Sequence, residues 1–162
     1  MKVGDVCTRH VYLAHANQSL ADAARRMCVH HVGALVVIEP GDEKRRPIGI
    51  LTDRDIVLGQ LARSADLFCL TVGDVMTPNP LWVTEDLSVF ATISALNGRS
   101  VRRAPVLDRA GALVGFVTLD DLLPVIGAEL SAIGTLMTSQ APRETREPSQ
   151  PSGAAYPARE CS

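Results

Sequence analysis

Apolar positions along this chain change their period in a fixed order, and the order runs twice. Behind the polar run Asn17-Gln18-Ser19, the residues Leu20, Ala23, Ala24, Met27 and Cys28 recur three and four apart, which places them on one face of a helix. Ala34-Leu35-Val36-Val37-Ile38 follows as a short apolar run rich in β-branched residues. A charged segment with Gly and Pro, residues 40–46, separates it from Ile48-Gly49-Ile50-Leu51, so the two runs are predicted to pair as a hairpin. Past Thr52 the positions Ile56, Val57, Gly59, Gln60 and Leu61 return to helical spacing. The same succession recurs from Asp86 to Leu123, so each copy reads as strand, helix, strand, strand, helix.

The repetition also holds residue by residue. Val3-Gly4-Asp5-Val6-Cys7-Thr8 returns as Val72-Gly73-Asp74-Val75-Met76-Thr77, an offset of 69 on which Ser19 meets Ser88, Met27 meets Leu96, and Val37 meets Val106. At Gly49 and Gly115 the offset is 66, because the first hairpin loop is three residues longer, and surface loops absorb insertions readily. The expected organisation is a first unit over residues 1–62, a linker over 63–71 and a second unit over 72–126. A helical extension is expected over 127–138 and a disordered tail over 139–162. Val125 to Met137 keeps helical spacing, with Ile126, Leu130, Ile133 and Met137 on one face, and either extends the last helix or caps the core. The tail is Pro, Ser, Arg, Glu and Ala, with almost nothing to bury.

Composition narrows the functional classes. A net charge of −2, from 16 basic and 18 acidic residues, gives no general field for nucleic acid or anionic membrane, and aromatics are only 4%. No apolar run is expected to reach the roughly 20 residues of a membrane helix. Cys7, Cys28, Cys69 and Cys161 have no paired spacing and are read as reduced thiols of a cytoplasmic protein. A unit of half this length would be marginal alone, so the two copies are expected to share a core.

The chemistry concentrates where a strand enters a helix. Gly49-Ile50-Leu51-Thr52-Asp53-Arg54-Asp55 and Gly115-Phe116-Val117-Thr118-Leu119-Asp120-Asp121 carry the same Thr-x-x-Asp spacing at the same place. The threonine hydroxyl and the first helical N–H groups can face a phosphate, and the aspartate one turn on can accept two hydrogen bonds from a ribose diol. The competing reading is that Thr52 and Thr118 cap their helices while Asp55 and Asp121 complement the helix dipoles.

Both copies resemble cystathionine β-synthase (CBS) domains, and the tandem resembles the paired CBS, or Bateman, module over roughly residues 1–126. The resemblance implies an α+β fold in which two repeats pack by their sheets about a pseudo-twofold axis, with two clefts for adenosine-containing ligands such as AMP, ADP, ATP or NAD. By position, Asp55 and Asp121 resemble the family's ribose aspartates, and Thr52 and Thr118 its phosphate-side hydroxyls. Val32, Gly33 and Ala34 resemble the wall that accepts adenine, with the segment around Val11 as the other wall. Arg102 and Arg103, on the matching strand, resemble arginines that reach across to phosphate. Arg54 joins the cleft of Thr52 and Asp55, whereas Leu119 and Asp120 replace Asp53 and Arg54 in the other copy. The cleft holding Asp55 is therefore expected to bind a phosphorylated adenosine more tightly.

His30 and His31, read as neighbours on a strand, face opposite ways and form no metal site with Cys28 or His10. Trp82 takes the place of Leu13 and is expected to pack. No nucleophile elbow, Walker loop or paired Cys and His is present, so no catalysis is expected. The expected function is a stand-alone regulatory module with an adenine nucleotide as regulatory ligand and no obligatory cofactor. The resemblance further implies a homodimer formed through the second helices, around Ile56, Val57, Leu122 and Leu123, which signals to an effector protein. The alternative is a constitutive scaffold with vestigial clefts.

Overall fold

A computed structural model of the chain describes residues 1–63 and 66–144, with side chains through Thr138. It divides into two units, Met1–Val125 and Ile126 onward. In the first repeat, β1 (Leu13–His15), α1 (Leu20–His30), β2 (Ala34–Ile38), β3 (Pro47–Thr52) and α2 (Asp53–Arg63) follow the predicted order. A one-turn helix α3 (Val72–Val75) and a short strand β4 (Thr77–Pro78) lead into the second repeat. It comprises β5 (Val83–Thr84), α4 (Val89–Gly98), β6 (Arg103–Leu107), β7 (Leu113–Thr118) and α5 (Leu119–Glu144).

The helices start where side chains satisfy free N–H groups. Ser19 and Ser88 occupy equivalent caps, their hydroxyls accepting from the N–H of Asp22 at 3.1 Å and of Ala91 at 3.2 Å. Helix α1 ends at His31, whose left-handed backbone (φ 53) returns its N–H to the carbonyls of Cys28 and Met27. His30 and His31 are thus the last helical residue and its cap, not strand neighbours as expected from sequence.

The two sheets share one register. Ala34 lies opposite Thr52 and Val37 opposite Gly49, as Arg103 lies opposite Thr118 and Val106 opposite Gly115. What the repeat does not reveal is an exchange of leading segments. Residues 3–8 dock on the second repeat: Val3 is fully buried in its core, the Val3 N–H donates to Leu87 O at 2.8 Å, and Thr8 bridges Phe116. Residues 70–78 dock on the first in the same way, with Leu70 and Val72 in its core and Thr77 opposite Ile50. Each core is therefore completed by the other repeat's leading hexapeptide, a physical reason for neither half to stand alone.

This exchange requires glycine in β3 and β7, the strands that the crossing segments meet. A Cβ on Gly115 would lie 2.6 Å from Cys7 Sγ and 3.2 Å from Thr8 O, and one on Gly49 would collide with Met76 Sδ. Cys7 and Met76 are repeat counterparts, so each crossing segment passes over the glycine of the opposite sheet.

Three further expectations are corrected. Helix α5 continues to Glu144 rather than giving way at 139, the helix-tolerant Gln140, Ala141, Arg143 and Glu144 carrying it past Pro142, which supplies no N–H; the rest of the expected tail lies outside the described residues. Within α5, Leu119–Thr138 spans 20 residues and is long and apolar enough, by length and composition, to cross a membrane. The sequence reading missed it because Gly, Ser, Thr and Glu129 interrupt the apolar run. Trp82 is 52% exposed, because the chain enters β5 only at Val83 and leaves the indole outside the core.

Candidate functional site: two unlike clefts between the repeats

Each cleft joins the wall of one repeat to the Thr-x-x-Asp turn of the other. In the first, of about 230 Å³, Val11, Tyr12, Val32, Gly33 and Ala34 face Thr118, with Phe116 and Arg103 beside it; Asp121, expected there from sequence, does not line this cleft and stands behind Thr118, hydrogen-bonded to it. In the second, of about 520 Å³, Thr52, Arg54 and Asp55 face Val101, Arg102 and Arg103. Sequence reasoning missed Phe116 and Ile50 as cleft residues. The signal was available, because side chains two apart on a strand share a face, which sets Phe116 beside Thr118 and Ile50 beside Thr52.

The Thr-x-x-Asp turns are closed capping boxes. Asp55 Oδ2 accepts the Thr52 N–H at 2.8 Å and its hydroxyl at 2.7 Å, while Thr52 Oγ1 accepts the Asp55 N–H at 3.2 Å. Thr118 and Asp121 repeat the geometry at 2.7, 2.8 and 3.4 Å. Thr71 and Asp74, at the start of α3 and away from either cleft, form the same box. There the two Thr71 hydrogen bonds hold the Asp74 carboxyl below its ordinary pKa. The box is thus a general device of this chain, and the capping reading of these threonines is correct as far as it goes. At the clefts it spends one carboxylate oxygen and the hydroxyl proton. Oδ1 of Asp55 and of Asp121 makes no hydrogen bond among the described residues, and each carboxylate is held by its other oxygen.

The walls differ in kind. Gly33 and Ala34 occupy the repeat positions of Arg102 and Arg103, so the first cleft has a small, flat wall where the second has two guanidinium groups. An aromatic cluster flanks the flat wall: Tyr12 stacks on His30 with centroids 4.3 Å apart, and His10 meets Tyr12 edge-on at 4.7 Å. On the other side, Arg54, Arg102 and Arg103 form no salt bridge among the described residues, whereas Arg9, Arg25, Arg46, Arg63 and Arg109 each pair with a carboxylate. Three guanidinium groups therefore border the second cleft together with the carboxylates of Asp53 and Asp55, and Arg103, half-buried, lines both clefts. No group of three or more metal-ligating side chains occurs among the described residues.

The family model described as "CBS domain" matches residues 3–60 and 72–128. The chain belongs to the CBS domain family. An uncharacterized protein from Methanopyrus kandleri, MK0525, is 30% identical over 125 residues, covering 77% of this chain but only 62% of the relative. Two solved CBS structures are similar to it. The CBS pair of protein MJ0100, in complex with 5′-methylthioadenosine and S-adenosyl-L-methionine, has a TM-score of 0.66 at 27% identity, covering 78% of this chain and 99% of that one. CBSX2 in complex with AMP has a TM-score of 0.65 at 26% identity, covering 77% and 95%.

Proposed function

We propose that this CBS pair is a non-catalytic regulatory module that binds adenosine-containing ligands in its two clefts and signals through altered packing or partner binding. The observation that carries the reading is the pair of anchored carboxylates, Asp55 and Asp121, each with a free Oδ1 and each hydrogen-bonded to a threonine that lines a cleft, Asp55 lining its cleft as well. A free carboxylate oxygen accepts from a ribose hydroxyl, and an ordered carboxylate loses little entropy in doing so. The adenosine ligands of MJ0100 and CBSX2 support the same chemistry here.

The clefts divide the ligand's parts between them. The Gly33–Ala34 wall, with Tyr12, suits a purine and its ribose, while Arg54, Arg102 and Arg103 favour a phosphorylated adenosine near Asp55 through bidentate contacts. Because Arg103 borders both clefts, an anion that draws it one way withdraws it from the other. The differing affinities of the two states are what a partner would read. In this reading the protein is cytoplasmic and homodimeric. The dimer face falls on Val57, Leu58 and Leu61 of α2 and Leu123 of α5, which are 51–71% exposed. Ile56 and Leu122, expected there from sequence, are buried in the cores instead.

A thermal-shift panel of AMP, ADP, ATP, NAD and S-adenosylmethionine at millimolar concentration tests the function. Ligand at 100 times its Kd stabilises the folded state by about 2.7 kcal/mol, a clear rise in melting temperature. A flat response to all five leaves the constitutive scaffold as the reading.

A further inference from the structure

The two departures from repeat symmetry that the clefts do not use meet at one groove. The loop enlarged in the first repeat, residues 40–46, reaches the second: the Leu113 N–H donates to Lys44 O at 2.9 Å, and Lys44 Nζ donates to Ala110 O at 3.0 Å. Beside this junction lies a cavity of about 340 Å³ with Thr84 and Leu107 among its lining, walled by Arg46 and Pro47 on one side and by Trp82 and Arg109 on the other. The repeat counterparts of Trp82, Arg46 and Thr84 are Leu13, Ala112 and His15, so the other end of the pair carries neither the indole nor this guanidinium.

Both arginines are held in place and still open. Arg46 is tied by Nε to Asp42 at 3.3 Å, and Arg109 by Nε to Asp86 at 2.6 Å, which leaves their outer N–H edges without partners among the described residues. Asp42 is itself fixed by the N–H groups of Lys44 and Arg46, and Asp86 is shared with Lys2 at 2.7 Å. The one opposing charge on the lining, Asp108, is turned to its own loop, its Oδ1 accepting the Ala112 N–H at 2.8 Å. The groove thus offers an exposed indole and two oriented guanidinium edges, with Leu107 and Pro47 as apolar surface. Trp and Arg are the residues most enriched at the energetic centres of protein interfaces.

We propose that this groove docks an acidic segment of a partner protein, an apolar side chain lying on Trp82 with flanking carboxylates on Arg46 and Arg109. Arg46 and Pro47 come from the first repeat and Trp82 and Arg109 from the second, so the site is complete only while the enlarged loop stays docked. The inference stands independently of which ligand, if any, fills the clefts.

Trp82 is the only tryptophan of the chain and so reports on the groove directly. A library of short random peptides would be selected on the full chain and counter-selected on an Arg46→Ala, Arg109→Ala double variant. Both arginines are largely exposed, and a melting curve checks that the variant folds. Selected peptides should place Asp or Glu beside Phe, Leu or Ile, shift the Trp82 emission on binding, and bind less tightly as salt rises. Each single arginine variant should weaken them by roughly tenfold, the loss of one charge-assisted contact. Neutral or basic selected sequences, or equal binding to the double variant, would overturn the proposal. So would a Trp82 emission shift produced by phosphatidylglycerol vesicles or benzoate but by no selected peptide.

Discussion

The two clefts share one backbone register and one capping box, yet they differ at the wall: Gly33 and Ala34 in the first, Arg102 and Arg103 in the second. The comparison separates what a duplicated fold must keep from what it is free to change. The box is kept because it starts a helix and satisfies two N–H groups, a requirement independent of any ligand. The wall residues sit at the rim, where Gly33 and Arg102 are exposed, so their substitution leaves both cores intact. Chemistry can diverge at those positions without cost to the fold.

The most severe way to break the comparison is to make the walls alike. Replacing Gly33 and Ala34 together by arginine fills the flat wall, and binding of adenosine itself should become undetectable by calorimetry. Folding should survive, since a Cβ on Gly33 meets nothing closer than Asp53 Oδ2 at 3.4 Å. Retained adenosine binding would mean that the first cleft does not hold the purine.

Removing charge from the second wall is the next largest change. Loss of a charge-assisted contact to phosphate costs about 1.5–3 kcal/mol, roughly 10- to 100-fold in affinity. Arg102→Ala should reduce ATP binding by that factor in the second cleft and leave adenosine binding unchanged. Arg103→Ala should disturb both clefts, because its side chain lines both. Calorimetric titration with ATP and with adenosine separates the two variants, and identical profiles for them would contradict a shared Arg103.

How far these features were legible in the sequence depends on how local their causes are. Ser19, Thr52, Ser88 and Thr118 stand at helix starts that the apolar period also marks, so pattern and capping chemistry agree there. The exchange of leading segments has no local signature. Val3 and Val72 open nearly identical hexapeptides, so their sequence does not say which core each enters, and only the tertiary packing decides. Position alone likewise misjudged Trp82. Its counterpart Leu13 lies within a strand, whereas the second repeat enters β5 one residue after Trp82 and leaves the ring at a groove edge. Cleft membership of Thr52 and Thr118 followed from the resemblance. The free Oδ1 atoms beside them depend on side-chain geometry that no spacing encodes.

The exchanged segments supply a subtler contrast between the halves. Forcing a methyl group into packed space costs about 1–3 kcal/mol, according to how far the neighbours can yield. Both glycines have a backbone oxygen 3.2 Å from the added Cβ, Thr8 O at Gly115 and Thr77 O at Gly49, so the difference lies in the side chains: against Gly115 stands Cys7, short and buried, and against Gly49 stands Met76, partly exposed and flexible. Gly115→Ala should therefore lose more stability in urea unfolding than Gly49→Ala. The reverse order would show that the second half, not the first, accommodates its crossing segment more easily.

The smallest expected effect separates the two crossing residues by titration, since Cys7 can ionise and Met76 cannot. Burial pushes the Cys7 thiol up from its ordinary value of 9.0, with the nearby Arg9 acting weakly in the opposite direction. A folded pKa above the unfolded one means that the unfolded chain releases its proton first as pH rises. The native state therefore keeps its full stability below the unfolded thiol value and loses stability as pH climbs through the raised folded value. Cys7→Ala lowers stability at every pH through lost packing, but it removes this slope. Urea midpoints measured for both proteins from pH 8 to pH 11 should converge as pH rises, and parallel curves would show that the thiol is not desolvated beneath the second sheet. Thiol reagents should in turn modify the exposed Cys28 and Cys69 well before Cys7, because among these three described cysteines only Cys7 must leave a core to react.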